Sequence, residues 1–239
     1  QLEHTLVVQV VSSEHMRRVV VISLALALSV ACADDRVTLQ RGPLGPAGYS
    51  VEVSATRSSE PSQHRAASLR VQPTAAGVTF VLETTADEEI QADLEQLEDG
   101  SLKLQRVRGA SVGTAGETEI ASLVGQLDPP LPNRPVRLGE GWSATRRITT
   151  ETLSASLRTE LRVVRYRRLA GTDAAELEGK IDGRLQTAGE RGVLRGTLGG
   201  STRIAWSVRS GRVVAAETRL VWLLAGGDEV VLETRVDPD

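Results

Sequence analysis

The 239-residue chain holds one cysteine, two lysines, three histidines and so few aromatics that they make up 3% of it. With a lone cysteine no intrachain disulfide can form, so stability must come from packing. His4 and His15 fall in the first fifteen positions, which leaves His64, in a Pro- and Ser-containing loop, as the one downstream histidine on which a serine or zinc hydrolase would have to rest. The scarcity of aromatics means that any cavity is walled by aliphatic side chains. Neither GxxxxGK[ST] nor GxGxxG occurs. The acidic run from Asp87 to Asp99 lacks the Asp-x-Asp-x-Asp-Gly order of a calcium loop. A formal charge of −3, with arginines dispersed along the chain, gives no electrostatic footprint for nucleic acid. No apolar run reaches the roughly 20 residues of a spanning helix. These absences leave a chain expected to be non-catalytic, with no cofactor and no metal.

What is present begins with the run before Cys32. Arg17 and Arg18 precede an almost unbroken apolar stretch from Val19 to Ala31, and the small Ala31 stands directly before the sulfur. Charge, short apolar core and small residue are the three parts of an export signal. The end of this run resembles the lipobox of bacterial lipoproteins, with Ser29 where that motif most often has Leu. The resemblance implies a lipid on Cys32 and a chain exported to the bacterial cell envelope, held on the outer face of the cytoplasmic membrane or in the outer membrane. The alternative is an ordinary secretory signal cut near Ala31 or Ala33. Residues 1–15 read as upstream translation before Met16, 16–31 as the signal peptide, 32–48, with Pro43, Gly45 and Pro46, as a tether, and 49–239 as one β-rich domain.

Beyond the tether the hydrophobic period is two. Tyr49, Val51, Val53 and Ala55 alternate with polar residues, and apolar segments follow at 69–71 and 78–82. Ile90, Leu94 and Leu97 fit a helix, yet Asp99-Gly100 reads as a hairpin turn into Leu102 and Leu104, and the strand reading is taken. One helix is clear: Thr114 and Glu117 have capping-box spacing, Ile120, Leu123, Val124 and Leu127 make one stripe, and Asp128-Pro129-Pro130 ends it.

The second half is a run of long one-sided strands. Odd positions from 153 to 163 are apolar or small, as are those from 175 to 185. A turn at Gly171-Thr172 would set Tyr166 opposite Leu177, with Arg165 and Arg167 facing Glu178 and Glu176. Beyond it the parity of the apolar face switches at Val163 and Val164, which predicts a β-bulge. Past the bulge Leu161 would oppose Ile181, and Leu157 would oppose Leu185. Glycines at 179, 183, 189, 192, 196, 199 and 200 mark places where a long sheet can bend. The fold class is therefore mainly β (α+β), a curved antiparallel sheet or unclosed barrel with a helix against its concave side. If the sheet curls, Leu157, Leu161, Leu177, Ile181, Trp206, Leu220 and Trp222 converge on one interior and are the candidate lining of a hydrophobic-ligand site. Core packing is the competing role for the three tryptophans.

Residues 131–142, Leu-Pro-Asn-Arg-Pro-Val-Arg-Leu-Gly-Glu-Gly-Trp, carry a second resemblance. The pattern LPxxPVxxGxxW after a Leu-rich helix is similar to a motif in a family of uncharacterised bacterial envelope lipoproteins, which has no established activity to carry over. In architecture such chains are broadly similar to LolA and LolB carriers, whose unclosed, helix-covered barrel holds acyl chains; this is analogy of fold. The partner classes that follow are the membrane through an N-terminal lipid, and either a lipid-like ligand or an envelope protein. A cavity of about 300 Å3 or more would favour the ligand, and a fully packed interior the structural or interaction module. The anchor is tested by Cys32→Ala, which is expected to release the protein from the membrane fraction or leave the signal uncut; a processed, still membrane-bound variant would contradict it.

Overall fold

In a computed structural model of the chain, residues 36–239 are described except 44, 59–60, 76, 85–88, 110–113, 151, 190–191 and 226. Residues 1–35, with the segments read as an upstream extension and a signal peptide and with Cys32, lie outside the described residues. The alternating segments form β1 (Ala47–Arg57), β2 (Gln63–Thr74), β3 (Gly77–Thr84), β4 (Glu89–Gln96) and β5 (Leu102–Gly109). After the helix α1 (Thr114–Leu127) come β6 (Gly141–Thr149), β7 (Leu153–Leu169), β8 (Thr172–Gly189), β9 (Gly192–Ser207), β10 (Arg212–Leu224) and β11 (Glu229–Pro238). Residues 89–96 are thus a strand, and the turn at Gly100 takes a positive φ of 77°.

Among the described residues the eleven strands form one antiparallel sheet in the order β5-β4-β3-β2-β1-β11-β10-β9-β8-β7-β6. Each strand pairs with its neighbour in sequence, and β1 with β11 joins the two halves. The ends of the sheet, β5 and β6, are consecutive in the chain but do not pair with each other; α1 connects them. It lies on the concave side with Ile120, Leu123 and Val124 buried in the common core.

Transverse rows across the sheet explain its two faces. On the inner face Val51, Val236, Ala216, Ile204, Leu177 and Val163 oppose one another in turn across six strands, and all are buried. One residue along, on the outer face, Arg162, Glu178, Arg203, Glu217, Arg235 and Glu52 form a ladder of alternating charge. Arg203 Nη2 lies 2.9 Å from Glu178, and the hydrogen bond from Arg203 holds the Glu178 carboxyl below the usual range. Opposite charges directly across a sheet support the pairing.

The β7–β8 hairpin differs from expectation in its register. Its turn is Ala170-Gly171, both at positive φ (47° and 77°), and Leu169 pairs with Thr172. Arg165 therefore opposes Glu176, and Tyr166 opposes Ala175 and is exposed. The bulge falls where parity places it, the register shifting between Val163 and Arg165. Beyond it Leu161 opposes Gly179 and Leu157 opposes Gly183, two residues from the expected partners Ile181 and Leu185. Each large side chain thus crosses a glycine.

Two further expectations are corrected. Of the expected tether, residues 36–43 and 45–46 lie as a strap on the domain, and 47–48 open β1. Val37 and Val136 exchange backbone hydrogen bonds of 2.8 and 2.9 Å, Leu39 is buried, and the Gly42 N–H donates to Gly211 O at 2.9 Å. Here two apolar side chains outweigh a linker-like composition. His64 sits exposed on β2, paired opposite Ser54, rather than in a loop.

A Cβ at Gly179 would lie 2.4 Å from Glu160 O and 2.5 Å from Leu161 Cδ2, whereas one at Gly199 would have nothing within 4 Å. Gly179→Ala is therefore expected to cost about 1–3 kcal/mol of stability and Gly199→Ala to stay within about 0.5 kcal/mol of wild type. Paired urea denaturations check this, and equal effects would contradict the close crossing at Gly179.

Candidate functional site

Beyond the buried row from Val51 to Val163, a belt across the inner face, the next inner rows mix large side chains with glycine, alanine and threonine. The next row reads Trp142, Leu161, Gly179, Thr202, Thr218, Thr234 and Val53, and the one after it Ala144, Thr159, Ile181, Gly200, Leu220, Leu232 and Ala55. Where a strand contributes glycine, alanine or threonine, the concave face cannot fill the space under the helix. The result is a cavity of about 550 Å3 walled by α1, by both unpaired edge strands and by the floor of β7 to β10. Val124 and Ala121 of the helix face Leu157, Leu161, Ile181 and Leu220 across it, with Leu102 and Leu104 from β5 and Ala144 and Ile148 from β6. Both strands that bound the open seam thus contribute to its wall.

Of the seven candidate lining residues, the structure brings Leu157, Leu161, Ile181 and Leu220 together at this cavity. Leu177 lies in the filled belt. Trp206 is buried against the strap side, beside a hollow of about 50 Å3 that it shares with Phe80, Tyr49 and Arg41. Trp222 packs against the core without facing the main cavity. Leu177 and Trp206 are core residues, and Trp222 is partly buried at the margin of that core.

Polar groups hold the helix at both ends. The Glu117 carboxylate accepts from the hydroxyls of Thr150 and Thr152 and from Thr152 N at 3.2 Å. Glu119 pairs with Arg65 of β2. Past the other end, buried Asp128 accepts from Arg41 Nε and Arg146 Nη2, each at 2.7 Å, and from Leu102 N at 2.8 Å. Strap, β5, β6 and helix thus meet on one carboxylate.

The LPxxPVxxGxxW residues build the entry to β6. Val136 is buried against Val37, Gly139 takes φ 80° and donates to Val163 O beside the bulge, and Trp142 Nε1 donates to Pro130 O at 2.7 Å. The Arg137 N–H and then Arg134 hold the Glu140 carboxyl below its usual range. The motif shapes backbone here, and its first residue, Leu131, lies in the cavity wall.

A larger hollow, about 920 Å3, lies on the outer face. Its floor is the charge ladder, including Glu52, Glu178, Arg203, Glu217 and Arg235, whose charges oppose one another across the strands. Among the described residues no three histidine, cysteine or carboxylate side chains are grouped to hold a metal, and no helix is long and apolar enough to cross a membrane.

No protein-family model matches the chain, and no curated protein matches it. A LolA superfamily protein, NE2245 from Nitrosomonas europaea, is similar in structure over 83% of this chain and 89% of its own, at 11% identity and a TM-score of 0.21. The architecture described above rests on strand order and register, not on this likeness.

Proposed function

We propose that this chain is a non-catalytic binding protein of the bacterial envelope, anchored through Cys32, that holds a hydrophobic, lipid-like ligand between α1 and the concave sheet. The observation that carries the reading is the 550 Å3 cavity, aliphatic in its main walls and bounded by the unpaired edges β5 and β6. Its volume falls within the roughly 300–1,000 Å3 of ligand sites. An apolar chain entering it would gain about 25 cal/mol for each Å2 it removes from water. Leu177 and Val163 beside it are fully buried, and close packing there leaves no such room. The anchor and the envelope location rest on the leader sequence.

The test fills the cavity from the seam. Ala144 lies half-buried on β6 in the wall, so Ala144→Trp is expected to occupy the space while leaving the belt intact. Titrated with a fluorescent fatty acid, lipid-stripped wild type should bind saturably. The folded variant should lose at least about tenfold in affinity, or 1.4 kcal/mol. No binding by wild type would replace this reading with that of a structural or protein-interaction module of the envelope.

A further inference from the structure

The apolar cavity has one cationic corner. Arg146 stands on the inward face of β6 in the same row as Leu157, and its Nη2 donates to Asp128 Oδ2 and Asp128 O, each at 2.7 Å. Arg41 comes from the strap, with Nε 2.7 Å from Asp128 Oδ1 and Nη2 3.0 Å from Pro129 O. Two guanidiniums therefore share one carboxylate, and both line the cavity. Arginine stays charged at any physiological pH, so the surplus positive charge cannot be relieved by losing a proton.

The surroundings do not cancel it. Arg146 Nη1 is enclosed and has no acceptor among the described residues, which leaves a charged donor short of a partner. Lys103, Arg147 and Asp99 complete the charged lining, and Lys103 lies 3.8 Å from Glu95. The wall thus carries Arg41, Lys103, Arg146 and Arg147, with Asp99 and the shared Asp128 against them. A guanidinium fork matches the planar oxygens of a carboxylate or phosphate.

Resting on the cavity reading above, we infer that the ligand is a single-chain anionic amphiphile, its headgroup oxygens received at the Arg41–Asp128–Arg146 corner and its tail laid along Leu157, Leu161, Ile181 and Leu220. The shared chemistry is an anionic oxygen pair, and it has two sources: a free fatty acid or the phosphodiester of a lysophospholipid.

The experiment measures displacement of a fluorescent fatty acid from the full-length, lipid-stripped chain by ligands of one tail length. Hexadecanoate is expected to compete about tenfold better than hexadecanol, with hexadecylamine weaker than both. Arg146→Gln should bring the acid-to-alcohol ratio toward one, and Arg146→Lys should retain part of it. The wild-type comparison of acid, alcohol and amine stands even if a variant fails to fold. Palmitoyl-lysophosphatidylglycerol competing better than hexadecanoate assigns the phosphodiester source, and the reverse order assigns the free acid. Equal competition by acid and alcohol in wild type would overturn the headgroup assignment while leaving the cavity reading in place. Failure of every amphiphile to bind would remove both.

Discussion

The sheet does not close, and the rest of the structure follows from that. A barrel removes its edges by pairing the last strand with the first. Here β1 pairs with β11, while among the described residues β5 and β6 share no ladder. The two unpaired strands are successive in the chain, so the segment that joins them must cross the gap. A helix satisfies its backbone internally and can bridge a place where no strand ladder forms. The stripe of α1 covers the interior that an unclosed sheet would leave wet.

A covering helix is not a filling one. The inner row through Leu177, Ile204 and Val236 is fully buried. In the next inner row glycine and threonine stand in their places, at Gly179, Thr202 and Thr234. The same glycines let the strands bend: at Gly179, Gly183 and Gly200 a Cβ would strike a backbone carbonyl of the next strand within 2.5 Å. Curvature and cavity thus share a cause, because the residues that allow the sheet to wrap around the helix also withhold the side chains that would fill the space. The outer charge ladder serves the opposite face, matching strands in register without adding bulk inside.

Much of this fold was legible in the sequence, and the failures have definite causes. Period-two alternation identified the long strands, and the parity switch at Val163 and Val164 located the bulge. The register of β7 on β8 was misread by two residues because the turn uses Ala170, an alanine at positive φ that no sequence rule favours. A two-residue slip keeps every side chain on its own face, so alternation could not detect it. Arg146, Asp128 and Arg41 were not singled out because Arg41 and Asp128 are 87 residues apart, and Asp128 reads locally as part of a helix stop. The strap was masked by its proline and glycine content, although Val37 and Leu39 carried the signal. Of the proposed lining, Leu157, Leu161, Leu220 and Ile181 were separated from Leu177 and the tryptophans only once the rows across the sheet were known.

The central claim is that the space under α1 is a site for a bound amphiphile rather than imperfect packing. Native mass spectrometry of protein purified from its own cells in mild detergent tests it most directly. A folded species heavier than the unfolded polypeptide by the mass of one single-chain amphiphile, which is released as the chain unfolds, is the expected result. A folded protein with the mass of the unfolded polypeptide alone, in every preparation, would contradict it.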